Sequence, residues 1–325
     1  MNIKVLKDNS LSKLEMRELY AASLIEMIEG GEPIMITDAD LMRPIGILPY
    51  LKKHPENIFD CGIAESNMIG VACGLSAEGF IPFTHTFACF ASRRVMDQVF
   101  MSGAYAKRNV KMIGSDPGVC AGLNGGTHMA FEDVAMMRVV PEMTIVEPTD
   151  PVMLKNLLPQ IVHSYGMTYI RLCRVQTEEI YEEGSSFELG KAAMLRDGGD
   201  VAIIAAGREV IEAVNAAKQL EKMGIQARVL DMFTIKPIDV EAVVSAAKDT
   251  GAIVTAENHN IIGGLGGAVA EVLAAHMPAP VEMVGVKDLF GEVASTEVLK
   301  QRFGLTAGDI VAAVQKVMAR KELSS

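Results

Sequence analysis

A carboxyl group follows a glycine turn at Gly62-Ile63-Ala64-Glu65, between an expected strand, Asn57–Cys61, and an apolar helix, Ser66–Glu78. Further along, Phe83, Phe87 and Phe90 surround His85. A carboxyl group beside an aromatic shelf suits a flat, protonatable heterocycle: the rings stack and the acid shares a proton with a ring nitrogen. The alternative use of Glu65 is to complement the positive end of the helix. A second constellation, Asn124-Gly125-Gly126-Thr127-His128, makes a sharp loop that presents His128 at the mouth of a helix, where an imidazole can relay protons or simply stand at the surface. Arg43, Arg171 and Arg174 fall at expected strand ends, the edge of an open parallel sheet where ligands bind. Their planar forks suit phosphate, sulfonate or carboxylate, although a surface ion pair is the commoner use of any one of them. Gly263-Gly264-Leu265-Gly266-Gly267 has the outline of a phosphate loop but no GxGxxG with a downstream ribose acid. Close helix packing or a subunit contact accounts for it better.

The elements that must position these groups alternate between strand-like and helix-like, which predicts an α/β fold with a mostly parallel sheet and helices on both faces. Strands are expected at Pro33–Thr37, Asn57–Cys61, Phe80–Thr84, Asn109–Gly114, Met143–Val146 and Thr168–Leu172. The first helix is expected to open in a capping box, Ser12-Lys13-Leu14-Glu15, and to stop at Gly30-Gly31. Others are expected at Ser66–Glu78, Ala88–Ala106 and Phe131–Val139. Gln176–Gly184, with four Glu and few apolar residues, breaks the pattern. The chain is thus divided into a first domain, 8–178, a linker, 179–188, and a second α/β domain, 189–325. In the second domain Val201–Ala206, Ala227–Asp231, Ala252–Ala256 and Val281–Val286 read as further parallel strands, Glu209–Met223 as an amphipathic helix, and the last helix starts near Thr306.

Composition narrows the class. A chain of 325 residues, half of them hydrophobic, can bury two ordinary cores. No apolar run reaches membrane-spanning length, and the first residues lack the apolar core of a secretory signal, so a cytoplasmic protein is expected. The five cysteines (61, 73, 89, 120, 173) form no CxxC and read as buried free thiols of a reducing compartment, without a zinc site. A net charge of −11 without a basic stripe argues against nucleic acid, and leaves any anionic substrate to a few placed arginines.

Taken together and in order, the segments resemble the C-terminal half of transketolases, as the separate small subunit of split, two-gene enzymes. The resemblance runs through Thr37-Asp-Ala-Asp-Leu41, Gly62-Ile-Ala-Glu-Ser-Asn-Met68, Thr86-Phe87 with Phe90, and Gly126-Thr-His-Met-Ala-Phe-Glu-Asp133. It continues through Glu147-Pro-Thr-Asp-Pro151, Tyr169-Ile-Arg-Leu-Cys-Arg174 and Glu257-Asn-His-Asn-Ile-Ile-Gly-Gly-Leu-Gly-Gly267. It implies a pyrimidine-binding domain, the family's C-terminal domain, and thiamine diphosphate bound against another chain. By that similarity Glu65 hydrogen-bonds the pyrimidine nitrogen and favours the imino tautomer. Phe87 and Phe90 pack on the ring, Asp40 belongs to the cofactor-binding set, and Arg93 stands where the family has a further aromatic. His128 matches the substrate-facing histidine, Arg174 the arginine that holds the anionic end, and Arg171 is its neighbour. The diphosphate and Mg2+ are gripped in this family by Gly-Asp-Gly and a later Asn. No Gly-Asp-Gly occurs here, so the resemblance implies a partner N-terminal subunit that carries it and an α2β2 assembly.

Departures from the family pattern fall in the substrate channel. Asp116 replaces a His, Asn124 an Asp, Leu123 an acid and Met129 a Gln, while Arg43-Pro44 and His85 replace small residues. Together with His128, Arg171 and Arg174, the departing residues Arg43, His85, Asp116 and Asn124 make up the expected substrate set, and the departures predict a two-carbon ketol transfer between sugars other than the common pentose phosphates. The rival expectations are a deoxyxylulose-phosphate synthase-like enzyme, a 2-oxoacid dehydrogenase β-like chain, or a non-catalytic assembly subunit.

Overall fold

The computed structural model describes residues 1–324. Among the described residues twelve strands form two sheets: β1 (Ile34–Asp38), β2 (Ile58–Asp60), β3 (Ile81–Phe87), β4 (Lys111–Ser115), β5 (Thr144–Val146), β6 (Thr168–Leu172), β7 (Ala193–Arg196), β8 (Val201–Ala205), β9 (Ala227–Asp231), β10 (Thr234–Lys236), β11 (Ile253–Asn260) and β12 (Val281–Val286). The first sheet runs β10-β5-β6-β4-β3-β1-β2 and the second β12-β11-β8-β9-β7. Every pairing is parallel except β10 on β5 and β7 on β9. β1, β4, β6 and β8 are buried along their whole length, as expected of parallel strands covered on both faces. None of the described helices is long and apolar enough to cross a membrane.

The parallel register brings Asp38 opposite His85, and Phe87 opposite Ser115. It thereby lines up the carboxyl ends of β1, β3, β4 and β6 along one edge, where the candidate residues lie.

Several expectations are corrected. Glu15, not Ser12, caps the first helix, Met16–Glu29, in a reciprocal box with Glu18. Ser12 instead donates its hydroxyl to the Leu14 carbonyl and pairs through its backbone N–H with Thr177. The expected helix over 88–106 is two pieces, an α-helix at Ala88–Arg93 and a π-helix at Gln98–Tyr105. β10 belongs to the second half of the chain yet completes the first sheet. Segment 179–188 is irregular but tied down: Asp150 accepts from the backbone N–H of Ile180 and Tyr181, both at 2.9 Å. The Tyr181 hydroxyl bonds Asp231 at 2.7 Å. All five cysteines are free, but Cys61 and Cys120 are only half-buried.

The two halves are locked together by Asn258. Its side chain accepts from the Val119 N–H at 2.9 Å and donates to the Pro117 carbonyl at 3.0 Å. Gly118, at φ +54°, lies so close that a Cβ there would sit 2.2 Å from the Asn258 oxygen.

Candidate active site

Glu65 is the first residue of helix Glu65–Ala77 and is buried. Its turn is held by Asp60 at the end of β2, whose carboxylate accepts from the Gly62 N–H at 2.8 Å and the Asp40 N–H at 2.9 Å. One acid therefore fixes both loops, while the Asp40 side chain itself is exposed. The Glu65 carboxylate receives the Arg94 guanidinium at 2.5 Å. The same guanidinium lies 3.8 Å over the Phe90 ring. The expected apolar surroundings of Glu65 thus include a cation, and Arg94 is a residue that motif reasoning passes over.

Phe90 continues the array. It meets His128 edge-on with ring centres 5.2 Å apart, and Phe87 meets His128 at 5.5 Å. Phe87 also lies 5.2 Å from the Arg174 guanidinium. Arg174 is ion-paired with Asp116, whose other oxygen, Oδ1, is buried with no hydrogen-bond partner. Burial pushes the Asp116 carboxyl up, against the pull of Arg174. Glu65, Arg94, Phe90, His128, Phe87, Arg174 and Asp116 consequently form one continuous arc along the sheet edge, with Phe87 joining its two halves.

The remaining candidates divide. Arg93 donates to the Thr127 carbonyl at 2.9 Å and lies 3.1 Å from Glu132, so it clamps the His128 loop to its own helix. Thr127 pairs through its hydroxyl with His128 Nδ1 at 2.9 Å. Asn124 is exposed on the same loop. His85 is not presented to a channel: it is wholly buried, with Nδ1 2.6 Å from Asp38 and Nε2 2.9 Å from Ser115. It joins β1, β3 and β4 beneath the arc. Asp38 falls within the Thr37–Leu41 motif, whereas Ser115 carries no sequence signal beyond lying at a strand end.

Arg171 is also turned away from the arc. Its guanidinium bonds Asp133 at 2.9 and 3.2 Å, Glu147 at 2.9 Å, and the carbonyls of Ala130 and Asn258 at 3.2 and 2.7 Å. All three guanidinium nitrogens of Arg171 are engaged in these contacts. Arg43 is exposed and lines an open groove with Arg17, Glu18 and Tyr50. In the glycine loop, Glu257 accepts from the N–H groups of Leu265 and Gly266 at 2.6 and 2.8 Å. Its carboxyl therefore fills the helix N-terminus that a phosphate would need. A Cβ on Gly264 would lie 1.9 Å from that carboxyl, so the glycine serves close packing.

The edge suits one half of thiamine diphosphate. A flat group with N–H donors is already accommodated between Phe90 and Glu65 in the form of the Arg94 guanidinium. An aminopyrimidine has the same planar shape, and its ring nitrogen can share a proton with the Glu65 carboxyl.

Known proteins similar to this chain match it along most of its length. Residues 12–178 match the transketolase pyrimidine-binding domain and residues 190–310 the transketolase C-terminal domain. The chain is 52% identical to the 6-deoxy-6-sulfo-D-fructose transketolase subunit SqwH of Clostridium sp. (strain MSTE9), over 94% of this chain and 95% of that one. It is 38% identical to an apulose-4-phosphate transketolase subunit of Phocaeicola vulgatus, over 84% of this chain and 87% of that one. A solved structure described as a split gene transketolase, inactive beta4 tetramer, superposes with a TM-score of 0.88 at 44% identity, covering 95% of this chain and 99% of that one.

Proposed function

The chain belongs to the transketolase family, as the C-terminal subunit of the split form, and we propose that the arc from Glu65 to Asp116 is its half of the active site. When bound, thiamine diphosphate supplies the electron sink for transfer of a two-carbon ketol unit. In this reading Glu65 holds the proton shared with the pyrimidine ring, and Phe87 and Phe90 bear on its face. His128, wedged between the two rings, takes and returns the proton of a substrate hydroxyl. Arg174 holds the anionic end of the sugar, and Asp116 Oδ1, which lacks a donor, accepts from a sugar hydroxyl. Asn124 lines the same approach. Asp40 and Arg93 set the loops around the cofactor. The observation that carries this reading is the continuity of the arc through Phe87, which spaces a cofactor anchor and an anion anchor along one sheet edge.

The diphosphate and Mg2+ would be held by the Gly-Asp-Gly of an N-terminal subunit in a cytoplasmic α2β2 assembly. Apolar side chains exposed beside the arc, Ile63, Leu123, Phe290 and Val293, support a face that a partner covers. The donor we propose is a ketose with a phosphate or sulfonate end other than the common pentose phosphates. The relative named for 6-deoxy-6-sulfo-D-fructose makes that sulfosugar the first donor to try.

The test is Glu65→Ala in the reconstituted pair. Turnover should be lost while sedimentation shows the assembly intact. Retained turnover would instead favour a scaffold role. Donor choice is read by comparing the sulfosugar with xylulose 5-phosphate; activity on xylulose 5-phosphate with ribose 5-phosphate as acceptor equal to that on the sulfosugar would rule out a specialised substrate.

A further inference from the structure

Arg94 occupies the space that the proposed function gives to the pyrimidine ring. Its guanidinium stacks 3.8 Å over Phe90 and donates to Glu65 at 2.5 Å, so it uses both the stacking face and the hydrogen-bond acceptor of that half-site. The two partners differ in exposure: the Glu65 side chain is 7% exposed, whereas that of Arg94 is 46% exposed. A pair open to water on one side is a weak restraint. The Arg94 backbone is fixed, because it ends helix Ala88–Arg93 and its carbonyl accepts the Ser66 hydroxyl at 2.6 Å. Only the long side chain has to move, and solvent lies on its free side. Arg93, the adjacent arginine, has no such freedom, being bonded to the Cys89 and Thr127 carbonyls.

We propose that Arg94 is a displaceable plug: it closes the pyrimidine half-site and must swing into solvent before the cofactor can seat on Glu65 and Phe90. This rests on the proposed role of Glu65 and Phe90. A site closed by its own side chain binds ligand with an affinity reduced by the fraction of molecules in which the side chain is out. The plug also satisfies the Glu65 carboxylate and covers the Phe90 face while the site is unfilled. The free chain is thereby protected from burying an unpaired acid or exposing an aromatic surface.

The experiment is calorimetric titration of thiamine diphosphate, with Mg2+, into the reconstituted pair carrying unaltered chain, Arg94→Met or Arg94→Ala. The two variants should bind with dissociation constants about tenfold lower, the size expected if roughly one site in ten stands open. Unchanged or weaker binding in both variants would overturn the plug, and weaker binding would mark Arg94 as a cofactor contact. Thermal melts of the free variants check that each is folded. Glu65→Gln in the same titration separates this proposal from its premise. If Glu65→Gln binds cofactor as tightly as the unaltered chain, the premise fails. If Glu65→Gln weakens binding while both Arg94 variants leave it unchanged, the premise stands and the plug fails.

Discussion

The Arg174 guanidinium is paired with Asp116 while its central carbon sits 5.2 Å from the centre of the Phe87 ring. The ring limits where the guanidinium can go, and the acid pulls it to one side. In its proposed role Arg174 would therefore meet an anionic sugar end as a cation already oriented by two neighbours. Arg174→Ala should raise KM for an anionic-ended donor by about a hundredfold, the order of a charge-assisted bidentate contact. The change in kcat should be much smaller. Arg174→Lys should recover only part of the loss, because an ammonium cannot reproduce the fork. Steady-state kinetics of the reconstituted pair read both.

Arg171, three positions earlier, should behave differently. Replacing it by Met leaves the buried Asp133 and Glu147 carboxyls without their shared cation. Loss of one partner from such a cluster costs about 3–5 kcal/mol. Urea unfolding of Arg171→Met should show that loss, whereas Arg174→Ala, which removes a half-buried arginine from the single acid Asp116, should cost less.

Glu209 predicts a pH dependence. It begins helix Glu209–Lys222, is buried, and neither carboxyl oxygen has a hydrogen-bond partner. Burial pushes its pKa up to about 8, against the pull of Lys300. The folded chain therefore keeps this proton up to about pH 8, while the unfolded chain releases it near the ordinary carboxyl value. Its contribution to stability declines as pH rises across that window and is lowest above it. Glu209→Gln removes the decline. The variant should match the unaltered chain near pH 4.5 and exceed it by about 1–3 kcal/mol at pH 8, measured by urea unfolding at the two pH values.

Much of the scaffold is legible in the sequence. Thr168–Leu172, Ala227–Asp231 and Val281–Val286 have the bounds their sequence predicts, because buried parallel strands are short apolar runs between turns. β10 is not legible. It has three residues and pairs antiparallel with a strand nearly ninety positions earlier in the chain, as the Thr234↔Val146 register records. The break after Arg93 has no turn signal, because no Gly or Pro falls between Ala88 and Gln98. The true start of the first helix is equally hidden, since Ser12-Lys13-Leu14-Glu15 satisfies the capping pattern as well as the Glu15–Glu18 box does.

The sequence by itself determined the order of the motifs, the absence of Gly-Asp-Gly, and the pairing of Glu65 with nearby phenylalanines, since these are properties of residue type and spacing. Only the tertiary structure decided which charged groups face the site. Arg171 lies within β6 and Arg174 just beyond it. The first is consumed by Asp133, Glu147 and Asn258 from distant segments, and the second remains at the edge. His85 likewise follows a strand pattern that would suit either face, and it is Asp38 and Ser115 on neighbouring strands that hold it inside. Partners of a buried charge come from wherever the fold brings acids and carbonyls together, and no local spacing records that.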